Sequence, residues 1–291
     1  MLVSYNQACA RDCSSLEQDL ALCEKAGFDC IEIRLDMLGD YLKTHTVQQL
    51  ADFFKTSRLR PHAFNALYLY PEFLSERDDA EKQKALLDEF YLGCKVGQAI
   101  GSRYFIVVPP LQRDPSGGPF VGDAQQVFQD CVRILKRLSD LAEPYHMNLC
   151  FELVGFERSS VRSIAQADAI VRAVDRPNVG FVFDSYNIYL NGGCNDFSAI
   201  GSVQPEKIFA AHLMSADDVP AAQRGQDKRC FCGQGAVDTD AFLQALKAAG
   251  YTGIASVETF RPEYWGKDPA WVIETAYRTT RQALEKNGCL G

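Results

Sequence analysis

Short apolar runs alternate along this chain with longer stretches in which apolar residues return every third or fourth position. The runs predict strands over Leu2–Asn6, Cys30–Leu35, Arg60–Leu67, Tyr104–Pro110, Asn148–Leu153, Val179–Asp184, Lys207–Leu213 and Ile254–Thr259. Between them the helical period predicts helices. The first runs from Ser14 to Gly27, with a serine N-cap, Glu17 in the first turn, and Leu16, Leu20, Cys23 and Ala26 on one face. Others cover Thr46–Thr56, Asp78–Ile100, Gly122–Tyr145, Ser163–Val174, Thr239–Ala249 and Pro269–Lys286, with a short one near Phe197. Most strands are apolar throughout rather than alternating, as expected of parallel strands buried on both faces. Eight β–α units without a breaking linker predict one (β/α)8 barrel domain over residues 1–291. A doubly wound open sheet is the runner-up. No G-x-G-x-x-G follows the first strand, which weakens its dinucleotide-binding form. One Gly/Pro-rich link, Asp114–Pro119, precedes the helix that starts near Gly122.

Four of the runs end on residues that packing does not require. MNLCFE closes on Glu152, NVGFVFD on Asp184, KIFAAH on His212 and IASVE on Glu258. A barrel gathers its active site at the C-terminal ends of its strands, so four consecutive strands bring these side chains to one side of the mouth. Buried charges are costly unless paired or ligated. Three carboxylates and an imidazole suit one divalent ion, Mn²⁺ first, with Zn²⁺, Co²⁺ or Mg²⁺ as alternatives. Four protein ligands leave one or two positions for substrate oxygens, as in a catalytic site.

Composition narrows the partners. The chain carries a net charge of −8, and its densest basic stretch, Arg224–Arg229, is broken by Asp227. A nucleic-acid partner is therefore not expected. The 11 cysteines are odd in number and mostly in apolar context, and Cys230-Phe231-Cys232 lacks zinc-ribbon spacing. Reduced structural thiols are expected. The N-terminal MLVSYNQACARDC has no charged segment before an apolar core, and no apolar run approaches the ~20 residues that span a bilayer. A cytoplasmic protein without a membrane partner is expected.

The segments FELVGF, NVGFVFDSYN, GQGAVDTDAF and SVETFRPEYW, with LALCEKAGFDCIEIR and FNAL, resemble the xylose isomerase-like barrel superfamily. Within it they are most similar to the inosose (2-keto-myo-inositol) isomerases of inositol catabolism. The resemblance runs in register over nearly the whole chain. It implies that Glu152, Asp184, His212 and Glu258 hold the metal and that Glu152 and Glu258 move protons. The expected reaction is isomerisation of a small keto-sugar or inosose through a metal-held enediolate. A sugar 3-epimerase, a 3-dehydroshikimate dehydratase-like lyase and an oxo-glycoside-cleaving lyase use similar chemistry. An endonuclease IV-type zinc cluster needs more histidines than the four present. A non-catalytic binding module is the remaining alternative.

Further substrate contacts are expected from Arg229 before CFCGQG, from His62 and Asn65 in RPHAFNAL, from Asn187, and from Arg34 at the end of IEIR, where pairing with Asp36 or Glu32 competes. Tyr264 and Trp265 could wall the pocket. Three positions depart from the family pattern: Phe156 and Asn187 stand where histidines are usual, and Ser215 where an aspartate is. These departures leave the metal set intact and the substrate open. Barrels of this kind often associate, which leaves a homo-oligomer open.

Overall fold

The eight parallel strands of the protein close on themselves, each hydrogen-bonded to the next around the ring. The computed structural model describes residues 1–77, 79–112, 114 and 118–291. Strands β1 (Leu2–Asn6), β2 (Cys30–Arg34), β3 (Arg60–Tyr68), β4 (Tyr104–Val108), β5 (Asn148–Glu152), β6 (Val179–Asp184) and β7 (Ile208–His212) follow the expected runs within three residues at either end. The eighth stave, β10 (Ile254–Val257), is reached after a two-stranded antiparallel ladder of β8 (Ser215–Ala216) and β9 (Arg229–Cys230) that the sequence did not reveal.

Period-two alternation divides the strands between two cores. Leu149, Phe151, Phe181, Phe183, Ala211, Ala255 and Val257 point outward to the helices. Cys150, Val182, Ala210 and Ile254 point to the barrel axis. Small axial residues such as Ala63, Ala210, Cys30 and Cys150 keep the interior narrow. Counting upward in steps of two from Cys150, Val182, Ala210 and Ile254 reaches Glu152, Asp184, His212 and Glu258. The alternation that builds the core thus aims all four inward at the mouth.

The outer helices are α1 (Leu16–Ala26), α2 (Leu35–Tyr41), α3 (Val47–Thr56), α4 (Ala80–Ile100), α5 (Ala124–Ala142), α6 (Ile164–Val174), α7 (Ser185–Gly192), α8 (Thr239–Ala248), α9 (Pro262–Trp265) and α10 (Pro269–Lys286). Ser15 caps α1 by accepting from Gln18 N, and Thr46 and Ser163 form capping boxes with Gln49 and Gln166. Helices α2 and α7 start directly at strand ends and were not expected. Near Phe197 a 3₁₀ turn, Ser198–Ser202, stands in for the short helix anticipated there. Asp78, the expected start of α4, and residues 115–117 of the Asp114–Pro119 link lie outside the described residues. No described helix is long and apolar enough to cross a membrane.

Candidate metal centre and acid–base site

Glu152, Asp184, His212 and Glu258 each offer a ligand atom, and these atoms lie within 4.8 Å of one another. All four residues are at most 5% exposed. Among the described residues this is the only grouping of three or more metal-capable side chains within such reach. His212 Nδ1 sits 3.3 Å from Glu258 Oε2, 3.8 Å from Glu152 Oε1 and 4.0 Å from Asp184 Oδ2. Like Nε2, it is buried and makes no hydrogen bond of good geometry, only these ion-pair contacts. A buried nitrogen without a hydrogen bond is costly, and a divalent cation among those three carboxylates would supply a partner. The donor set, three carboxylates and one imidazole, fits such an ion.

Each of these four side chains is held from behind. Asp184 is the N-cap of α7: its Oδ1 accepts from Asn187 N at 2.7 Å, which leaves Oδ2 facing the cluster. The N-terminal end of that helix favours the carboxylate anion. Asn187 Nδ2 donates to Glu152 Oε1 at 3.0 Å. Gly155 allows this approach, because a Cβ there would lie 2.1 Å from the Asn187 carbonyl oxygen. Glu258 Oε1 accepts from Asn65 Nδ2 at 2.8 Å and from Asn6 Nδ2 at 3.1 Å. Arg229, 1% exposed, directs Nη1 to Asp184 Oδ2 at 2.6 Å and to Glu258 Oε2 at 3.2 Å, and its Nε donates to Gln226 Oε1.

Sequence reasoning missed Glu32. It is fully buried in β2 and places Oε2 3.0 Å from His212 Nε2. The same oxygen accepts from Asn6 Nδ2 at 2.9 Å and Ser256 Oγ at 2.8 Å. A carboxylate behind an imidazole selects the Nε2–H tautomer and turns the Nδ1 lone pair toward the cluster. The signal available was a lone acid inside an apolar run, CIEIR. Glu32→Gln should weaken metal affinity about 10- to 100-fold while leaving the fold intact. Calorimetric titration with Mn²⁺ checks this, and unchanged affinity would show that Glu32 does not support His212.

The electrostatics follow from burial and crowding. Burial raises the Glu152 carboxyl to about 7, with Glu258 and Asp184 adding to the rise and His212 opposing it. Burial alone would also raise Glu258, but His212, Arg229 and Asn65 outweigh it and hold this carboxyl well below the usual range. Burial would lower His212, yet Glu32 and Glu258 reverse that and push it well above its ordinary value. In the metal-free protein near neutrality, Glu152 and His212 therefore compete for protons that a cation must displace. Metal affinity should rise as pH increases through 7, by up to roughly tenfold per pH unit for each proton released. Titrations from pH 6 to 8 in buffers of different ionisation enthalpy measure this directly. A pH-independent affinity would contradict it.

The other expected contacts divide. Asn65 and Asn187 reach the cluster. Arg229 is no surface arginine, yet its bonds go to ligands of the proposed ion rather than outward, so it braces the centre. His62 requires a correction. Its side chain stacks on Tyr104 at 4.5 Å and lines a cavity of about 740 Å³ with Arg60 and Phe209 at the opposite end of the barrel. Three residue steps along the strand separate it from Asn65, roughly 10 Å. Arg34 makes the competing pairing: Nε and Nη2 hold both Asp36 oxygens, at 2.9 and 2.6 Å. Trp265 donates Nε1 to Ala8 O at 3.0 Å and Tyr264 stacks on Phe231 at 4.3 Å, so neither walls the cleft. Phe156 packs edge-on against Tyr186. Ser215 Oγ donates to Val237 O at 3.1 Å, and Asp217 pairs with Arg261 at 2.9 Å.

A cleft of about 200 Å³ opens onto the cluster, lined by Glu152, Asn187, Arg229 and Glu258 on one side and by Val108, Leu111, Val154 and Phe260 elsewhere. Three larger hollows, the one beneath the barrel, one of about 660 Å³ on the α5–α6 flank and one of about 510 Å³ beside His146 and Arg176, hold no such ligand set among the described residues. Chemistry, not volume, identifies the site.

The model of the xylose isomerase-like TIM barrel family matches residues 20–281. The chain belongs to that family. It is 36% identical over 287 residues to the inosose isomerase of Bacillus velezensis, covering 98% of both chains. It is 35% identical to the inosose isomerase of Bacillus subtilis (strain 168), covering 98% of this chain and 99% of that relative. A solved structure of the IolI protein with a bound zinc atom superposes with a TM-score of 0.89 at 34% identity, covering 99% of each chain.

Proposed function

We propose that this family member is a divalent-metal-dependent isomerase of a small keto-polyol of the inosose class. The observation that carries the proposal is the buried convergence of Glu152, Asp184, His212 and Glu258 on an imidazole nitrogen without a hydrogen bond at the mouth of the barrel. Similarity to inosose isomerases along almost the whole chain supports the same substrate class. A cation held there would supply Lewis-acid chemistry, polarising the carbonyl of an adjoining ketone–alcohol pair so that the carbinol C–H becomes more acidic. The chain's own groups move the proton. Glu152 and Glu258 both line the cleft, one taking the proton from the carbinol carbon and the other returning one to the former carbonyl carbon, while the hydroxyl proton passes from the carbinol oxygen to the former carbonyl oxygen. Asn187 fixes Glu152, while Asn65 and Asn6 fix Glu258, so neither carboxylate swings away from the substrate. The apolar wall of Val108, Leu111, Val154 and Phe260 limits the access of bulk water to the reacting carbons.

The donor set contains no thiolate, and its three carboxylates are hard ligands, which supports Mn²⁺ as the working ion. Zinc in the related IolI structure supports a single divalent ion of whichever kind. The enzyme is proposed to work in the cytoplasm on a free small molecule. The test is turnover: protein stripped of metal and reloaded with Mn²⁺, Co²⁺ or Zn²⁺ should interconvert 2-keto-myo-inositol with an isomeric inosose of the same mass. A product lighter by one water would make it a dehydratase. No turnover across a panel of inososes and ketoses would remove the isomerase assignment.

A further inference from the structure

We propose that Arg158 selects the substrate, its guanidinium taking a vicinal pair of hydroxyls on the side of a polyol ring remote from the carbonyl, an inference that rests on the isomerase reading. Arg158 follows β5 and lines the same cleft as Glu152 and Glu258. It is held in place rather than loose on the surface. Gln112 N donates to the Arg158 carbonyl at 3.0 Å, and Arg158 Nη1 donates back to the Gln112 carbonyl at 3.0 Å. The flanking residues are tied down as well: Phe120 N donates to Glu157 O at 2.8 Å and Ser160 N to Pro110 O at 3.0 Å. The remaining N–H groups of Arg158 have no hydrogen-bond acceptor or carboxylate among the described residues.

A half-buried guanidinium with unspent donors, facing a cleft, calls for acceptors from the ligand. An anion and a diol both offer them, and the local charge decides between the two. Glu32, Glu152, Asp184 and Glu258 are four buried carboxylates. A dication and Arg229 leave one of those negative charges unbalanced, and Arg158 supplies the compensating one. An anionic substrate would restore the imbalance in a poorly screened cleft, whereas a neutral polyol would not. The planar fork spans two adjacent oxygens, which matches vicinal hydroxyls. Two neighbours help: the Gln226 carbonyl oxygen is occupied by Arg229, so its amide N–H₂ remains available, and Tyr68 also lines the cleft, its phenol kept protonated by burial. The far side of the site therefore presents donors, and the ligand there presents oxygens.

The experiment uses the metal-loaded enzyme. Arg158→Met should raise KM for the inosose about 10- to 100-fold, the loss of a charged hydrogen-bonding group to the substrate, with kcat and metal content unchanged. Arg158→Lys should recover part of the loss. Deoxy-inososes lacking one of the two hydroxyls should show a similar KM penalty with wild-type enzyme and little further penalty with Arg158→Met. An unchanged KM in Arg158→Met, or a drop confined to kcat, would overturn this role while leaving the isomerase assignment standing. Tighter use of a carboxylated or phosphorylated ketose than of the neutral inosose would overturn the choice of a diol. Wild-type enzyme inactive on every inosose would remove the underlying assignment itself.

Discussion

Glu152→Gln and Glu258→Gln are each expected to lower kcat about 10²–10⁴-fold, the usual contribution of a positioned acid or base. The exchange keeps size and removes the ability to cycle a proton. The two variants should differ in what else they lose. At position 152 a glutamine can keep its carbonyl oxygen toward Asn187 Nδ2, which now sits 3.0 Å from Glu152 Oε1. At position 258 the carboxylate receives donors on both oxygens, from Asn65 and Asn6 on one and Arg229 on the other. An amide N–H₂ there must face a donor, so Glu258→Gln should also cost stability and metal affinity. Rates must therefore be compared at saturating metal, with bound metal measured in each variant. Exchange of substrate C–H hydrogen for solvent deuterium separates the steps: a variant lacking the abstracting base loses exchange and turnover together. The double variant should be little worse than the more damaged single one, because the two groups serve one proton transfer. Full activity in either single variant would break the acid–base assignment.

The barrel was legible because its strands are nearly continuous apolar runs separated by helical periodicity, and the ligand set because polar residues ending such runs have no packing reason to be there. What escaped has identifiable causes. Asp184 caps helix α7, so one residue acts as strand end, proposed ligand and helix cap, and SYNIYLNG lies in none of the elements expected from the sequence. Glu32 was hidden because the axial residues of a small barrel are not read as a polar face when both strand surfaces are buried. His62 was misplaced because β3 shifts register against β2 near Ile31 and Glu32 and against β4 between Phe64 and Leu67. Counting by twos fails across such shifts, so His62 and Asn65 could not be ranked from sequence. Arg158 gave no signal at all, since its importance depends on a backbone clamp to Gln112, 46 residues away. The departures at Phe156 and Ser215 are local: one packs on Tyr186 and the other binds the Val237 backbone.

Arg229→Met should destabilise the metal-free protein by about 3–5 kcal/mol, the cost of removing one partner from a buried ion pair, and bound metal should restore much of the loss. Arg229 is 1% exposed and its Nη1 touches both Asp184 and Glu258. Methionine fills similar space without charge, so the deficit reports electrostatics more than packing. The pH dependence has a definite sign. Burial would raise the Glu258 carboxyl, but His212 and Arg229 hold it below its ordinary value of 4.5. A depressed acid contributes stability that is present above that value and fades as pH falls below it. Removing Arg229 takes away part of that contribution, so the gap in Tm between wild type and variant should be widest near pH 7 and narrow below pH 4. A cation binding among the same carboxylates replaces the lost positive charge and stabilises only the folded state, by RT ln(1 + [L]/Kd). Thermal melts with chelator and with millimolar Mn²⁺, at both pH values, separate these effects. A deficit independent of pH and of metal would mean that Arg229 is held for packing and that the carboxylates do not need its charge.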